Sequence, residues 1–405
     1  MDISRARDRR LVVSVFAALA LALLTKGYAY ATPRPATTSY VIHDVGRPHH
    51  ASSTLYGFNN TGQMYGTAYP NRNGNTLCEV WTGSAFLALS GTGAKSCYPF
   101  AISNANPSTG AYDVSGYVFT PFEPQQVAFL ATVKTAGTQF RTFTNHDDSE
   151  LAGGVNSHGV AVGYAYDRHF QSATPPFAFD GTKFAPLQPG CKTFGPLCMS
   201  NVLQDYNTPG STCPFGGCGL NDNNVVLGLD NYSSNLMVAT VDSPTSSTDL
   251  PIQWGPAYPA GINDANQVAY GYQQPSSNAI AAFIYAVGAS QPVALGTISG
   301  SDCVEYFPIS LNNLGDVLGY NAACQTSSPT YWLYDHTSGT MSDLMAAVPH
   351  NHYSRVTPLG INDNAEILVE LSARNGEHWG TLDPSGSPLR NRIVHGVAIP
   401  RPHIK

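Results

Sequence analysis

The chain has 405 residues, of which 12% are charged, and its formal net charge is −7. An average soluble protein has about 25% charged residues, so the composition excludes a charged helical bundle, a coiled coil and a nucleic-acid-binding protein with a basic face. The 42% share of apolar residues can bury a core and argues against disorder. With 38 glycines and 29 prolines, the chain is predicted to be rich in β-strands and turns.

The first 31 residues have the layout of a secretory signal peptide. Four arginines in Met1–Arg10 precede the apolar run Leu11–Leu24, and Ala29-Tyr30-Ala31 is a small-x-small cleavage signature. The apolar run is shorter than the roughly 20 residues that a membrane span needs. We therefore expect cleavage of residues 1–31 and a secreted or periplasmic mature chain with no membrane span. Its net charge becomes −10, because the leader contains five basic and two acidic residues.

Eight cysteines lie in the predicted mature chain, and an even number in an exported protein indicates disulfides. Eight cysteines allow 105 connectivities, so the spacing does not determine the pairing. Local pairing is the simplest prediction, whereas a zinc site is disfavoured because no C-x-x-C pair occurs. The predicted pairs are Cys78–Cys97, Cys191–Cys198, Cys213–Cys218 and Cys303–Cys324.

A short phrase recurs along the mature chain, first as Gly57-Phe58-Asn59-Asn60 followed by Thr61-Gly62. In each copy an apolar residue ends a strand and an asparagine opens a turn, where its side chain can bond to nearby backbone. Neighbouring copies are separated by 42 to 65 residues, which suits four-stranded propeller blades of about 40–50 residues. The turn asparagines are assigned as Asn59, Asn104, Asn156, Asn221, Asn263, Asn312 and Asn362, with the copy at Asn104 degraded.

The third residue after the asparagine needs a positive φ angle to reverse the chain. Glycine or asparagine occupies this position in five copies, as at Gly62 and Asn224. Ala365 breaks the pattern, so we expect the last turn to differ.

A second signature follows most of the asparagines by roughly twenty residues and includes Ala128-Phe129-Leu130 and Tyr331-Trp332-Leu333. One large aromatic side chain per repeat would fill the space between neighbouring sheets. A third element, such as Asp343-Leu344, brings the unit to about four strands. Together these residues resemble the HAF-type extracellular repeat over about residues 40–383. The resemblance implies a secreted, propeller-like domain and no established activity.

The predicted fold is an all-β propeller of seven four-stranded blades that occupies residues 32–399, with a C-terminal tail at 400–405. Ring closure is expected to pair an early strand, Tyr40–Val45, with a late strand, Arg392–Ile399. The long interval between Asn156 and Asn221 predicts one loop of about 30 residues that is stapled by disulfides.

No nucleophile elbow, zinc-binding H-E-x-x-H motif, phosphate loop or EF-hand loop is present. The segment His146-Asp147-Asp148-Ser149-Glu150 has the oxygen ligands that calcium prefers, but a solvated loop is the simpler interpretation. The same holds for His49-His50 and His350-Asn351-His352. Asp222, Asp264 and Asp363 resemble paired catalytic carboxylates, although their place in the repeat indicates turns. No catalytic, cofactor-binding or metal-binding residue is therefore assigned, and no cofactor is expected.

A complete repeat scaffold without a catalytic motif favours a secreted, non-catalytic binding or interaction module, expected to be monomeric. Its partner would be an extracellular glycan or protein, since the low content of basic residues disfavours nucleic acid. An extracellular polysaccharide hydrolase or lyase is the alternative, and a structural envelope protein without a ligand is a third. The enzyme hypothesis requires acidic or histidine side chains that converge at the mouth of the channel.

Overall fold

A computed structural model of the chain describes the parts that build the fold. The described residues are 39–48, 52–69, 75–89, 96–119, 126–135, 137–143, 149–166, 177–187, 199–202, 219–230, 236–251, 257–275, 277, 279–349 and 353–385. All of them belong to one compact unit, Thr37–Lys405. Within these residues, no helix has the length and apolar character needed to cross a membrane. The predicted signal peptide, residues 1–31, lies outside the described residues.

The described residues form antiparallel β-strands and one short 3₁₀ turn, Met345–Ala347. The first strands in chain order are β1 Tyr40–Gly46, β2 Ser53–Phe58, β3 Met64–Ala68, β4 Leu77–Trp81, β5 Phe86–Leu89, β6 Ser96–Ile102, β7 Tyr112–Phe119, β8 Gln126–Lys134, β9 Gly137–Phe143, β10 Ser149–Val155, β11 Ala161–Tyr166, β12 Phe177–Phe179 and β13 Phe184–Pro186. The remaining strands are β14 Met199–Val202, β15 Val225–Asp230, β16 Leu236–Thr240, β17 Ser243–Asp249, β18 Ala257–Ile262, β19 Gln267–Gln273, β20 Ile280–Ala286, β21 Val293–Ala294, β22 Glu305–Leu311, β23 Val317–Ala322, β24 Tyr331–Asp335, β25 Thr340–Asp343, β26 Arg355–Ile361, β27 Ile367–Ala373 and β28 Gly376–Pro384.

These strands form a β-propeller of seven four-stranded blades, as the repeat predicts. Blades 1 to 4 are the successive groups β2–β5, β6–β9, β10–β13 and β14–β17. Blades 5 and 6, β18–β21 and β22–β25, are linked into one sheet by a single parallel pair, Ile280 and Glu305. Blade 7 contains β26, β27, β28 and β1. The interval predicted to be one long loop contains β14, the first strand of blade 4, so that prediction was wrong in this part.

The ring closes through the N-terminal strand. β1 pairs antiparallel with β28, from Tyr40 opposite Pro384 to Gly46 opposite Trp379. The early strand was therefore predicted correctly, and its described partner is β28; the predicted late strand, Arg392–Ile399, lies outside the described residues. β28 is the third strand of blade 7 and leaves an open edge that β1 completes.

The core lies between the blades, where large side chains fill the space between sheets. Trp332 and Trp379 on third strands are both 0% exposed. The glycine that ends many repeats makes room for these rings, since a Cβ atom at Gly319 would lie 2.1 Å from Trp332 and 2.4 Å from the Phe307 carbonyl oxygen. The aromatic signature thus packs blades together, although Phe86 lies on the fourth strand of blade 1.

Two of the predicted disulfides lie in the described residues, and both form as local pairing predicts. Cys78–Cys97 joins the third strand of blade 1 to the first strand of blade 2. Cys303–Cys324 connects the approach to β22 with the segment after β23. The remaining predicted pairs, Cys191–Cys198 and Cys213–Cys218, lie outside the described residues.

Candidate functional site

The turn between the first and second strands of a blade is built around one buried asparagine. In blade 6, Asn312 is 1% exposed, and its Oδ1 accepts the N–H groups of Leu314 at 3.0 Å and Asp316 at 2.8 Å. The Gly315 N–H donates to the Asn312 carbonyl at 3.1 Å, and Gly315 has a φ angle of 86°. Asparagine suits this position because one side chain satisfies two backbone donors that the turn would leave unpaired.

The same asparagines link neighbouring blades through their Nδ2 atoms, in an arrangement we call the inner belt. Asn221 donates to the Asn263 carbonyl at 2.8 Å, and Asn263 donates to the Asn312 carbonyl at 3.0 Å. The further bonds are Asn59 to Ser103 at 2.9 Å, Asn156 to Asn221 at 3.2 Å, Asn312 to Asn362 at 3.1 Å and Asn362 to Asn59 at 3.4 Å. The belt therefore crosses the junction between blade 7 and blade 1 and helps to close the ring.

Blade 2 departs from the predicted assignment by one residue. The acceptor of the Asn59 amide is the carbonyl of Ser103, so Ser103 and not Asn104 occupies the turn position. The Ser103 hydroxyl reaches only its own blade, where it donates to the Asn104 carbonyl and accepts the Asp113 N–H. The short side chain cannot reach blade 3, and among the described residues no inner-belt bond joins blades 2 and 3.

A second belt, the outer belt, is formed by the residue after each turn position. The side chain of this residue accepts the N–H of its counterpart in the preceding blade. Asp264 accepts from Asp222 at 2.8 Å, Asn313 accepts from Asp264 at 2.7 Å, and Asp363 accepts from Asn313 at 2.7 Å. Asn60 accepts from Asp363 at 2.9 Å across the ring closure. Asn104 belongs to this belt, since it accepts the N–H of Asn60 at 3.1 Å.

The two belts surround the mouth of the central channel, which we call the polar mouth. It is an open concavity with a cavity volume of about 30 Å³, and its described lining includes three aspartates and no lysine or arginine. The lining residues are Asn104, Leu220, Asn221, Asp222, Ile262, Asn263, Asp264, Leu311, Asn312, Asn313 and Asp363.

Asp222, Asp264 and Asp363 therefore occupy turns, as predicted, and also converge at the channel mouth. Burial raises the pKa of Asp264, and the neighbouring Asp222 carboxylate raises this pKa further, against the bonds from the Asp222 N–H and from Asn313. Asn313 Nδ2 donates to Asp264 Oδ2 at 2.7 Å and to Asp363 Oδ2 at 2.9 Å. The amide thus holds two carboxylates in place that would otherwise repel each other. The repeat assigns each of them to a turn, whereas the contacts between blades bring them together.

The predicted acidic and histidine segments do not contribute to this site in the described residues. His146, Asp147 and Asp148 lie outside them, as do His49-His50 and His350-Asn351-His352. Glu150 is in β10, the first strand of blade 3, but only its backbone is described.

A different titratable cluster, which sequence reasoning missed, lies on blade 7. Asp44 Oδ2 accepts bonds from the Tyr353 hydroxyl at 2.7 Å and from His378 Nδ1 at 2.8 Å. Burial acts to raise the pKa of Asp44, but the bonds from Tyr353, His378 and the Gly46 N–H outweigh it, so the pKa is lowered. Because Asp44 is on β1 and His378 is on β28, the cluster joins the two strands that close the ring.

Of the comparisons with known proteins, the one with solved structures bears on the fold. No protein-family model and no curated protein matches the sequence. Among solved structures, the chain is similar to an oligogalacturonate lyase in complex with manganese, with a TM-score of 0.54, 11% identity, and coverage of 86% of this chain and 97% of the lyase.

Two further structural neighbours are more distant. Virginiamycin B lyase from Staphylococcus aureus has a TM-score of 0.46 and 10% identity, with coverage of 85% of this chain and 99% of that protein. The β-propeller domain of the trilobed protease from Pyrococcus furiosus has a TM-score of 0.41 and 7% identity, with coverage of 82% and 95%. At 11% identity, the likeness to the oligogalacturonate lyase shows the fold alone, and a propeller fold hosts many functions.

Proposed function

We propose that the chain is a secreted, non-catalytic β-propeller binding or interaction module whose ligand is an extracellular glycan or protein. The proposal includes export through the cleaved leader at residues 1–31 and membership of the HAF-type extracellular repeats. Disulfides at Cys78–Cys97 and Cys303–Cys324 are compatible with an extracellular location.

The state of the carboxylates at the polar mouth supports this function. Both oxygens of Asp264 and both oxygens of Asp363 accept hydrogen bonds from the ring itself. These groups therefore brace neighbouring blades, and no histidine, lysine or arginine is among the described residues that line the mouth. The carboxylates thus already serve the structure of the ring, and the remaining polar groups of the concave mouth are suited to binding.

An extracellular polysaccharide hydrolase or lyase is the second candidate, and Asp264 is the observation that favours it. A carboxyl group whose pKa is raised by burial and by a neighbouring carboxylate can act as a general acid. Under this hypothesis Asp264 would transfer the proton.

Turnover of polysaccharides by the secreted full chain distinguishes the two functions. Neutral and uronate-containing polymers would be incubated with the protein, and new reducing ends and new double bonds would be measured. We expect no product from any polymer. Product formation that falls by about 100-fold or more in Asp264→Asn would contradict the binding function, since general acid–base groups contribute about that much. Asp335→Asn is the matched control, because Asp335 Oδ1 accepts N–H groups in an exposed turn of blade 6.

A further inference from the structure

The opposite end of the channel has a different chemistry from the polar mouth. Five residues before the turn position, the first strand presents a side chain that is exposed or partly exposed in all five blades where it is described. The next residue along the strand is buried in four of these blades. The five exposed or partly exposed residues are Thr54, Tyr98, Tyr258, Phe307 and Thr357.

Three of these five side chains are aromatic, and each belongs to a group of rings. Tyr98 stacks on Tyr117, directly opposite it on β7, with ring centres 5.0 Å apart and planes 18° apart. Phe307 stacks on Tyr320, directly opposite it on β23, at 5.0 Å and 15°. Tyr258 meets the edge of Phe307 at 5.2 Å and 81°, which joins blades 5 and 6. We call these five rings, one group in blade 2 and another across blades 5 and 6, the aromatic wall.

The aromatic wall is not part of the hydrophobic core. Each of the five rings keeps part of its surface exposed, whereas the core aromatics Phe129 and Trp332 are 0% exposed. The orientation of Tyr98 is held by its hydroxyl group, which accepts a bond from Thr76 Oγ1 at 3.1 Å. A buried ring would stabilise the fold by packing alone. A partly exposed ring with a fixed face offers a surface to a ligand at little entropic cost.

The charges around the wall limit the chemistry of that ligand. No charged residue occupies the wall positions or their cross-strand partners in blades 2, 5 and 6, where Tyr258 faces Gly271. In blade 7 the equivalent pair is Thr357 and Glu370, and burial raises the pKa of Glu370. The polar mouth is acidic and the chain has net charge −7. The uncharged wall positions of blades 2, 5 and 6 therefore offer no cation to an anionic polymer.

From these observations we propose that the aromatic wall binds a neutral glycan. The C–H groups on one face of a pyranose ring are electropositive and match the electronegative face of an aromatic ring. Tyrosine hydroxyl groups at the ring edges and the hydroxyl groups of Thr54 and Thr357 supply hydrogen bonds to sugar hydroxyls. The proposal rests on the proposed binding function, since it names the class of ligand that such a module would take.

Retention of the secreted full chain on polysaccharides tests this assignment. The neutral probes are cellulose, starch, chitin and a β-1,3-glucan, and polygalacturonate and alginate are the anionic probes. We expect retention on at least one neutral polymer and none on the anionic ones. Tyr98→Leu and Phe307→Leu keep apolar volume but remove the ring face, so each is expected to weaken binding about tenfold. Tyr98→Phe keeps the ring face and loses only the hydroxyl group, so it should bind more tightly than Tyr98→Leu.

Phe140→Leu is the control for loss of a ring away from the channel, because Phe140 lies on β9, the fourth strand of blade 2, and stacks on Phe129 at 4.8 Å. Unfolding temperatures identify any variant that fails to fold. The assignment is overturned if the leucine variants bind as the parent does, if anionic polymers are preferred, or if only peptides are retained.

Failure of this assignment and failure of the proposed function have different signatures. Loss of neutral-glycan binding in the wall variants, together with product formation that depends on Asp264, would support the wall and refute the non-catalytic function. Absence of glycan binding with retention on a peptide library would refute the wall and leave the binding function standing.

Discussion

At the residue scale, one backbone conformation recurs in every regular turn. Gly62, Gly159 and Gly315 have φ angles of 79°, 77° and 86°, and Asn224 and Asn266 have 60° and 55°. Ala365 was expected to change the last turn, but this expectation was wrong. Its φ angle is 58°, and its N–H donates to the Asn362 carbonyl at 2.8 Å as in the other copies. The bonds made by Asn362 therefore impose the left-handed conformation on a residue that disfavours it.

Replacing Ala365 with glycine should stabilise the protein by about 1 kcal/mol, because the left-handed region costs a non-glycine residue about 1–2 kcal/mol and glycine loses more chain entropy on folding. Gly159→Ala is the matched control and should destabilise the protein. A Cβ atom there would come no nearer than 3.5 Å to Asp113, so the change would mainly strain the backbone. Urea unfolding of both variants measures the difference. A destabilised Ala365→Gly variant would contradict the strain argument.

At the element scale, hydrogen bonds between turns define how one blade meets the next. The inner and outer belts join adjacent hairpins at six of the seven junctions within the described residues. At the junction of blades 2 and 3, apolar packing replaces these hydrogen bonds. Phe143 of β9 stacks on Phe179 of β12, with ring centres 4.2 Å apart and planes 17° apart. This junction therefore depends on buried aromatic area instead of amide bonds.

Asn312→Ala should lower the free energy of unfolding by about 3 kcal/mol or more. The change removes the bond to the Asn362 carbonyl and leaves the N–H groups of Leu314 and Asp316 without their acceptor, and each unsatisfied buried group costs about 1–3 kcal/mol. Asn364→Ala is the control, because Asn364 is partly exposed and has a single side-chain bond to the Asn60 carbonyl. Chemical denaturation compares the two variants, and equal losses would contradict the importance of the inner belt.

At the scale of the whole molecule, the ring is closed by a strand that comes from the other end of the chain. β1 is held by its pairing with β28 and by the bonds from Tyr353 and His378 to Asp44. The arrangement couples ring closure to the ionisation of one carboxyl group. Asp44 precedes the first repeat and yet forms part of the last blade.

The closure is expected to weaken in acid. The pKa of Asp44 is lowered in the folded chain, so its ionised form adds stability above the ordinary pKa of 3.8, and this contribution is lost as the pH falls through the lowered value. Tyr353 behaves oppositely, because burial and the bond to Asp44 raise its pKa to about 12. Its contribution is complete below pH 10, the ordinary value, and is lost as the pH rises toward 12.

Unfolding temperatures of the parent and of Asp44→Asn, measured from pH 2 to pH 7, test this coupling. The variant should be less stable at pH 7 and should approach the parent as the pH falls, because protonation of Asp44 removes the charge that the variant lacks. A parallel pair of curves would show that Asp44 does not contribute to the acid dependence. Asp335→Asn, on an exposed turn, serves again as the control.

The sequence by itself determined the fold class, the seven repeats, the turn chemistry and the two local disulfides in the described residues. These features are local, because a turn asparagine, a positive-φ glycine and a nearby cysteine act on residues a few positions away. Only the tertiary structure decided that Ser103 replaces Asn104, that β28 receives β1, and that Asp222, Asp264 and Asp363 meet. Each of these depends on contacts between residues that are about 40 to 340 positions apart, and repeat spacing does not specify such contacts. The chain needs few charged residues, since most strand surfaces are buried between blades. Several of its carboxylates brace the ring.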